Sequence, residues 1–173
     1  MQNQVVDFKE KIESLVAQWK FSGVPSRATL EEIGTKLLAE RRAKRSTGLW
    51  NSPPLMITAT LDDGLGQGLM IIHQFAEAVG MRIRPLGLIQ SVDHIIADCK
   101  KMEPDFLGLT ILQFDSEEDL TTIACNLPQK TRIICGGPVF QADLDLAERC
   151  GVHYVARHVG VFLEILLMHS KNC

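Results

Sequence analysis

The sequence predicts a parallel, doubly wound α/β sheet preceded by a helical extension, and two observations carry that reading. From Leu55 onward, short apolar runs of strand length alternate with amphipathic helical patterns. Right-handed crossovers between parallel strands produce that alternation. The first run, Leu55 to Leu61, passes through Asp62-Asp63-Gly64-Leu65-Gly66-Gln67-Gly68 straight into a helical pattern. A strand that feeds a helix through a glycine turn is where open parallel sheets bind cofactors.

The first fifty residues read as helical. Phe8, Ile12, Leu15, Val16 and Trp19 fall at helical spacing, which predicts one amphipathic helix from about Val5 to Lys20. Phe21 to Pro25 breaks it. Thr29-Leu30-Glu31-Glu32 reads as a capping box opening a second helix, with Leu30, Ile33, Leu37 and Leu38 as its apolar stripe. That helix runs into the basic stretch Arg41 to Arg45, read as a solvated end favoured by the helix dipole, with docking to an acidic partner the alternative. Ser46 to Pro54 reads as a linker, so the chain divides into a helical segment over 1–52 and an α/β domain over 53–173.

Strands are predicted at Leu55 to Thr60, Met81 to Leu86, Phe106 to Ile111, Arg132 to Cys135 and His153 to Ala156. The helices between them are expected at Gly68 to Val79, Val92 to Lys101, Ser116 to Leu127 and Gln141 to Arg149, with a last one over Val159 to His169. Leu69, Ile72, Phe75, Ala76 and Val79 share a face of the first of these, and Gly80 is its expected C-cap.

Composition excludes several classes of function. A net charge of −3 argues against nucleic acid as a default partner, and seven Phe, two Trp and one Tyr leave few stacking platforms for single strands. No run reaches the roughly 18 apolar residues of a membrane span, and the N-terminus lacks a signal-peptide layout, so a cytoplasmic protein is expected. Cys99, Cys125, Cys135, Cys150 and Cys173 are scattered without a CxxC pair, which reads as reduced, mostly buried thiols. His73, His94, His153, His158 and His169 show no HxxxH or HExxH spacing, so a metal site built from protein ligands alone is not expected.

The glycine turn does not fit a dinucleotide. GxGxxG counted from Gly64 meets Leu69 where glycine or alanine is needed, and counted from Gly66 it meets Ile71. The second strand ends Pro85-Leu86-Gly87, without the acidic residue that would hold a ribose. No GK[ST] follows for a P-loop.

Other motifs occur in a consistent order. Asp63-Gly64-Leu65-Gly66-Gln67-Gly68 precedes a helix ending at Gly80, and Pro104-Asp105 precedes Gly108-Leu109-Thr110-Ile111-Leu112. Gly136-Gly137 closes the fourth strand, and Gly151-Val152-His153-Tyr154 leads to the last helix. In that order, from Leu55 to about Leu167, the chain resembles the cobalamin-binding domain of methionine synthase, the corrinoid methyltransferase proteins and the cobalamin-dependent mutases. The resemblance implies a Rossmann-like (flavodoxin-like) five-stranded sheet. It also implies a corrinoid held by Asp63, Gly64, Leu65, Gly66, Gln67, Gly68, Thr110, Leu112, Gly136, Gly137, Tyr154 and Ala156. The tail would enter a slot beside Gly68, Gly136 and Gly137, where no side chain obstructs it, with the Thr110 hydroxyl near a tail nitrogen.

One departure matters chemically. The family's DxHxxG histidine, which ligates cobalt from below, is Leu65 here. Leucine donates no electrons to a metal, so Asp63 lacks the imidazole whose basicity it would tune, which leaves a turn or N-cap role open to it. Cobalamin would then be held base-off with no protein ligand, which eases access to Co(I).

The leading expectation is a carrier or acceptor of cobalamin in corrinoid-dependent methyl transfer, acting beside a methyltransferase or reductive activator rather than as an enzyme alone. About fifty residues precede Leu55, fewer than a full four-helix cap needs, which would leave the upper corrin face open to a partner. The alternatives are a cobalamin-responsive regulator and a degenerate, non-binding interaction module.

Overall fold

The computed structural model describes residues 2–62 and 67–170. They fall into two compact units, both discontinuous in sequence. Met1–Pro54, Gln67–Arg82 and His158–Cys173 form one, and Leu55–Gly66 with Ile83–Arg157 form the other.

The first unit is helical. It contains α1 (Gln2–Ser22), α2 (Arg27–Ala43), α3 (Gln67–Ala78) and α8 (Val159–Ser170). Phe8, Ile12, Val16 and Trp19, expected to line the inner face of α1, are buried. Trp19 meets Phe75 of α3 edge to face, with ring centroids 5.8 Å apart and planes at 72°. Full burial of Ile12 and Phe75 stabilises the unit by about 1.5–3 kcal/mol each. Gln74 of α3 donates to Glu31 O at 2.9 Å and Thr35 Oγ1 at 3.0 Å, joining α3 to α2.

Helix α2 starts earlier than the Thr29 capping box implies. Its N-cap is Ser26, whose side chain accepts from Thr29 N at 3.3 Å. Pro25 holds the entering chain out of the helix, so the first serine after it takes the cap. Two cations of the basic stretch pair locally: Arg42 with Glu77 at 2.8 Å, and Lys44 with Glu40 at 3.0 Å and Asp7 at 3.4 Å. The stretch read as a linker is packed, since Leu49 and Trp50 are buried and Leu49 N donates to Val79 O at 2.9 Å. Gly80 does cap α3. Its φ is +102°, and a Cβ there would lie 2.1 Å from Thr47 O, so only glycine admits the close backbone approach.

The second unit carries the five-stranded parallel sheet, β1 (Leu55–Thr60), β2 (Arg82–Gly87), β3 (Phe106–Thr110), β4 (Arg132–Gly136) and β5 (Tyr154–Val155), in the order β2-β1-β3-β4-β5. Pro85 sits in β2 at the sheet edge, where a residue without an N–H is tolerated. Strand periodicity divides the side chains. Odd-numbered residues Ile57, Ala59, Leu107, Leu109, Ile133 and Cys135 pack in one core with Ile95 and Cys99 of α4 (Val92–Met102) and Leu120 and Ile123 of α5 (Glu117–Asn126). The Pro104-Asp105 motif has a structural explanation here. Asp105 accepts from Leu55 N through its carboxylate at 2.8 Å, donates its own N–H to Leu55 O and accepts from Arg132 N, which aligns the starts of β1, β3 and β4.

The single helix expected over Gln141 to Arg149 is two short turns, α6 (Val139–Ala142) and α7 (Leu146–Arg149). Asp143 breaks it. Its carboxylate accepts from Asp145 N at 3.2 Å and from Arg149 NH2 at 2.8 Å, a turn that competes with helix continuation.

Candidate functional site

In the order β2-β1-β3-β4-β5 the chain reverses direction across the sheet between β1 and β3. Ligands of open parallel sheets bind outside the carboxyl ends of the strands at such a switch point. The register there is fixed: Thr60 pairs with Thr110, Thr110 with Gly136, and Cys135 with Val155. Ala156 N donates to Cys135 O at 2.7 Å, which continues the last rung past β5. Thr60, Thr110, Gly136 and Ala156 therefore line up across four strands on the face opposite the odd-numbered core.

Thr60 is buried, but the rest of the rung is more open than the strands behind it. Thr110, Leu112, Gly136, Gly137, Tyr154 and Ala156 are half-buried, whereas Leu107, Gly108 and Leu109 are buried. Thr110, Gly136 and Ala156 share this rung, and Leu112 and Gly137 follow just past the ends of β3 and β4. Tyr154 shares their face but lies one rung lower, opposite Ile134. Of the glycine turn, Asp63, Gly64, Leu65 and Gly66 lie outside the described residues. Gln67 opens α3, and Gly68 follows it, exposed, with no atom of the described residues within 4 Å of where a Cβ would stand.

The glycine pair divides in its reasons. A Cβ on Gly137, at φ +125°, would lie 1.9 Å from Ile111 O, so the fold itself demands glycine there. At Gly136 the nearest atom to a Cβ would be Ala156 O at 3.1 Å. The β4 turn thus packs down on the end of β3, and Ile111 N donates to Gly136 O at 2.9 Å.

Three polar or strained residues at this edge escaped the sequence reading. Asp62 is buried, and its Oδ2 accepts from Leu112 N at 2.7 Å. The Thr60 hydroxyl donates to Asp62 O at 2.9 Å and accepts from Ile89 N at 3.2 Å. Ile89 stands at φ +53°, a left-handed conformation that costs a β-branched residue about 1–2 kcal/mol. The available signal was two threonines, Thr58 and Thr60, in an otherwise apolar strand.

Burial pushes the Cys99 thiol up to about 12, with Asp98 adding to it, and burial raises Cys135 further, so neither is a thiolate at neutral pH. Burial lowers the His73 pKa. Other imidazoles serve their own surroundings: His94 Nδ1 meets Gln90 Oε1 at 2.6 Å, His153 Nδ1 accepts from Ile133 N at 3.1 Å, and His158 Nδ1 accepts from Val161 N at 3.3 Å. Among the described residues no group of three or more His, Cys, Asp or Glu side chains could hold a metal ion, and no helix is long and apolar enough to cross a membrane. The described edge presents a hydroxyl, backbone groups and small residues.

Fold and edge define an open, doubly wound sheet with an accessible switch point. No family model and no curated protein matches the chain. Solved structures do. A cobalamin-binding protein from Desulfitobacterium hafniense superposes with a TM-score of 0.78 at 19% identity, covering 96% of this chain and 82% of that one. The monomethylamine corrinoid protein of Methanosarcina barkeri gives 0.63 at 14% identity over 91% and 78%. The methanol:cobalamin methyltransferase complex of the same organism gives 0.67 at 15% identity over 98% and 67%. At these identities the likeness establishes the fold.

Proposed function

We propose that this chain is a corrinoid-binding protein that holds cobalamin base-off, without a histidine ligand, as carrier or acceptor in corrinoid-dependent methyl transfer. The observation that carries the reading is the half-exposed Thr110–Gly136–Ala156 rung at the switch point. Thr110 offers a hydroxyl to a tail nitrogen, and Gly136 leaves the adjacent space without a side chain. Among the described residues nothing lies near the Gly68 Cβ position, which supports a ligand passing close to it. In the sequence, Leu65 stands where the resembling family has its histidine. A bound corrinoid would supply cobalt redox and methyl-group chemistry, and the chain would supply binding, orientation and shielding. The presence of corrinoid proteins of methyltransferase systems among the structural neighbours favours a separate methyltransferase or activator as partner.

One observation favours a non-binding module instead. Gly137 is required by internal packing, because a Cβ there would sit 1.9 Å from Ile111 O in a conformation that L residues avoid. Its presence therefore needs no ligand. Titration with hydroxocobalamin followed by gel filtration separates the readings. Co-elution with a base-off visible spectrum, converted to a ligated one by Leu65→His, is the expected result. Folded protein that elutes colourless overturns it.

A further inference from the structure

Two buried polar side chains at the end of β1 tie three switch-point loops together. Thr60 is 1% exposed and Asp62 8%. The Thr60 hydroxyl bridges Asp62 O and Ile89 N, and its carbonyl accepts from Gln90 N at 2.8 Å. The Asp62 carboxylate reaches across the switch point to Leu112 N at 2.7 Å. Buried polar groups are costly unless bonded, and these bonds go to loop backbone outside the sheet ladder. They hold Ile89 in its left-handed conformation, and strain of that kind persists only where the surroundings over-determine it.

The consequence falls on Thr110. On the β4 side its neighbour Ile111 is fixed by Gly136 O and by the close approach of Gly137. On the β1 side Leu112 is fixed by Asp62. Thr110 sits immediately before these two clamps, and removal of Asp62 frees one of them.

We propose that Thr60 and Asp62 are positioning residues, and that Asp62 makes the site discriminate corrinoids carrying a nucleotide tail from those without one. This rests on the corrinoid reading and adds to it a basis for ligand selectivity. A tailless corrinoid does not use the Thr110–Leu112 segment, so it is indifferent to where that segment lies.

The test measures affinities of the full chain for hydroxocobalamin and for diaquocobinamide, which lacks the tail. Asp62→Ala lowers cobalamin affinity about 10-fold or more and cobinamide affinity by less than about 3-fold. Asp62→Asn keeps an acceptor for Leu112 N and holds the ratio of the two near wild type. Thr60→Val, isosteric but without the hydroxyl, moves the ratio in the same direction as Asp62→Ala and keeps the test open should that variant not fold. Equal weakening toward both corrinoids, or an unchanged ratio in Asp62→Ala and Thr60→Val, overturns the assignment alone. Wild-type protein that binds neither corrinoid overturns the corrinoid reading, and the assignment with it.

Discussion

Gly68→Ala separates stability from binding. Gly68 lies in the first turn of α3, its φ is outside the left-handed region, and an added Cβ would meet no atom of the described residues within 4 Å. The substitution therefore introduces no clash, while it removes backbone freedom from the unfolded chain, a gain of about 0.4–1 kcal/mol. For a chain of this length each kcal/mol moves Tm by roughly 2–4 °C, so a rise of about 1–4 °C is expected. Binding moves the other way. A methyl group forced into space used by a buried ligand costs about 1–3 kcal/mol, or roughly 5- to 150-fold in Kd. Circular dichroism melts give the first quantity and hydroxocobalamin titration the second. A more stable protein with unchanged cobalamin affinity refutes the idea that Gly68 is small for the ligand. A fall in Tm refutes the open surroundings from which the gain is derived.

Three further outcomes follow from the packing and charges. Gly137→Ala places a Cβ against the Ile111 carbonyl in a conformation that L residues avoid, and is expected to cost about 3–5 kcal/mol by chemical denaturation. Arg149 holds the Glu117 and Asp143 carboxyls below their ordinary values of 4.5 and 3.8, chiefly through its hydrogen bonds to them. Their contribution is present above those values and lost as pH falls through the depressed ones, so the Tm difference between wild type and Arg149→Met is largest near neutrality and shrinks below about pH 4. Iodoacetamide at pH 8 modifies exposed Cys125 in the folded protein, whereas buried Cys99, Cys135 and Cys150 react only after unfolding, as peptide mapping would show.

The parts of the fold set by local pattern were legible in the sequence. Apolar runs at Leu55, Phe106 and Arg132 became strands because nothing local competes with them, and Gly80 capped α3 because a positive φ there requires it. The errors arose where a distant residue decides. Leu146 and Ala147 keep a helical pattern through the Asp143 turn, which is stabilised by Arg149, itself anchored to Glu117 32 residues away. Ser26 and Thr29 are both competent caps, and the position of Pro25 selects between them. The candidate site divides in the same way. Thr110, Gly136, Gly137 and Ala156 were named through the resemblance, and they lie at or just past the ends of β3, β4 and β5. Asp62 could not be told from Asp63, because its partner, Leu112 N, lies 50 residues downstream.

The most direct test of corrinoid binding without a nitrogen ligand is the electron paramagnetic resonance spectrum of the protein mixed with one equivalent of cob(II)alamin and freed of unbound corrinoid. Nitrogen below cobalt, from the tail base or an imidazole, splits each cobalt line into three. A protein-bound spectrum without that triplet is the expected result. A triplet that persists in the bound corrinoid, or the absence of bound corrinoid altogether, contradicts it.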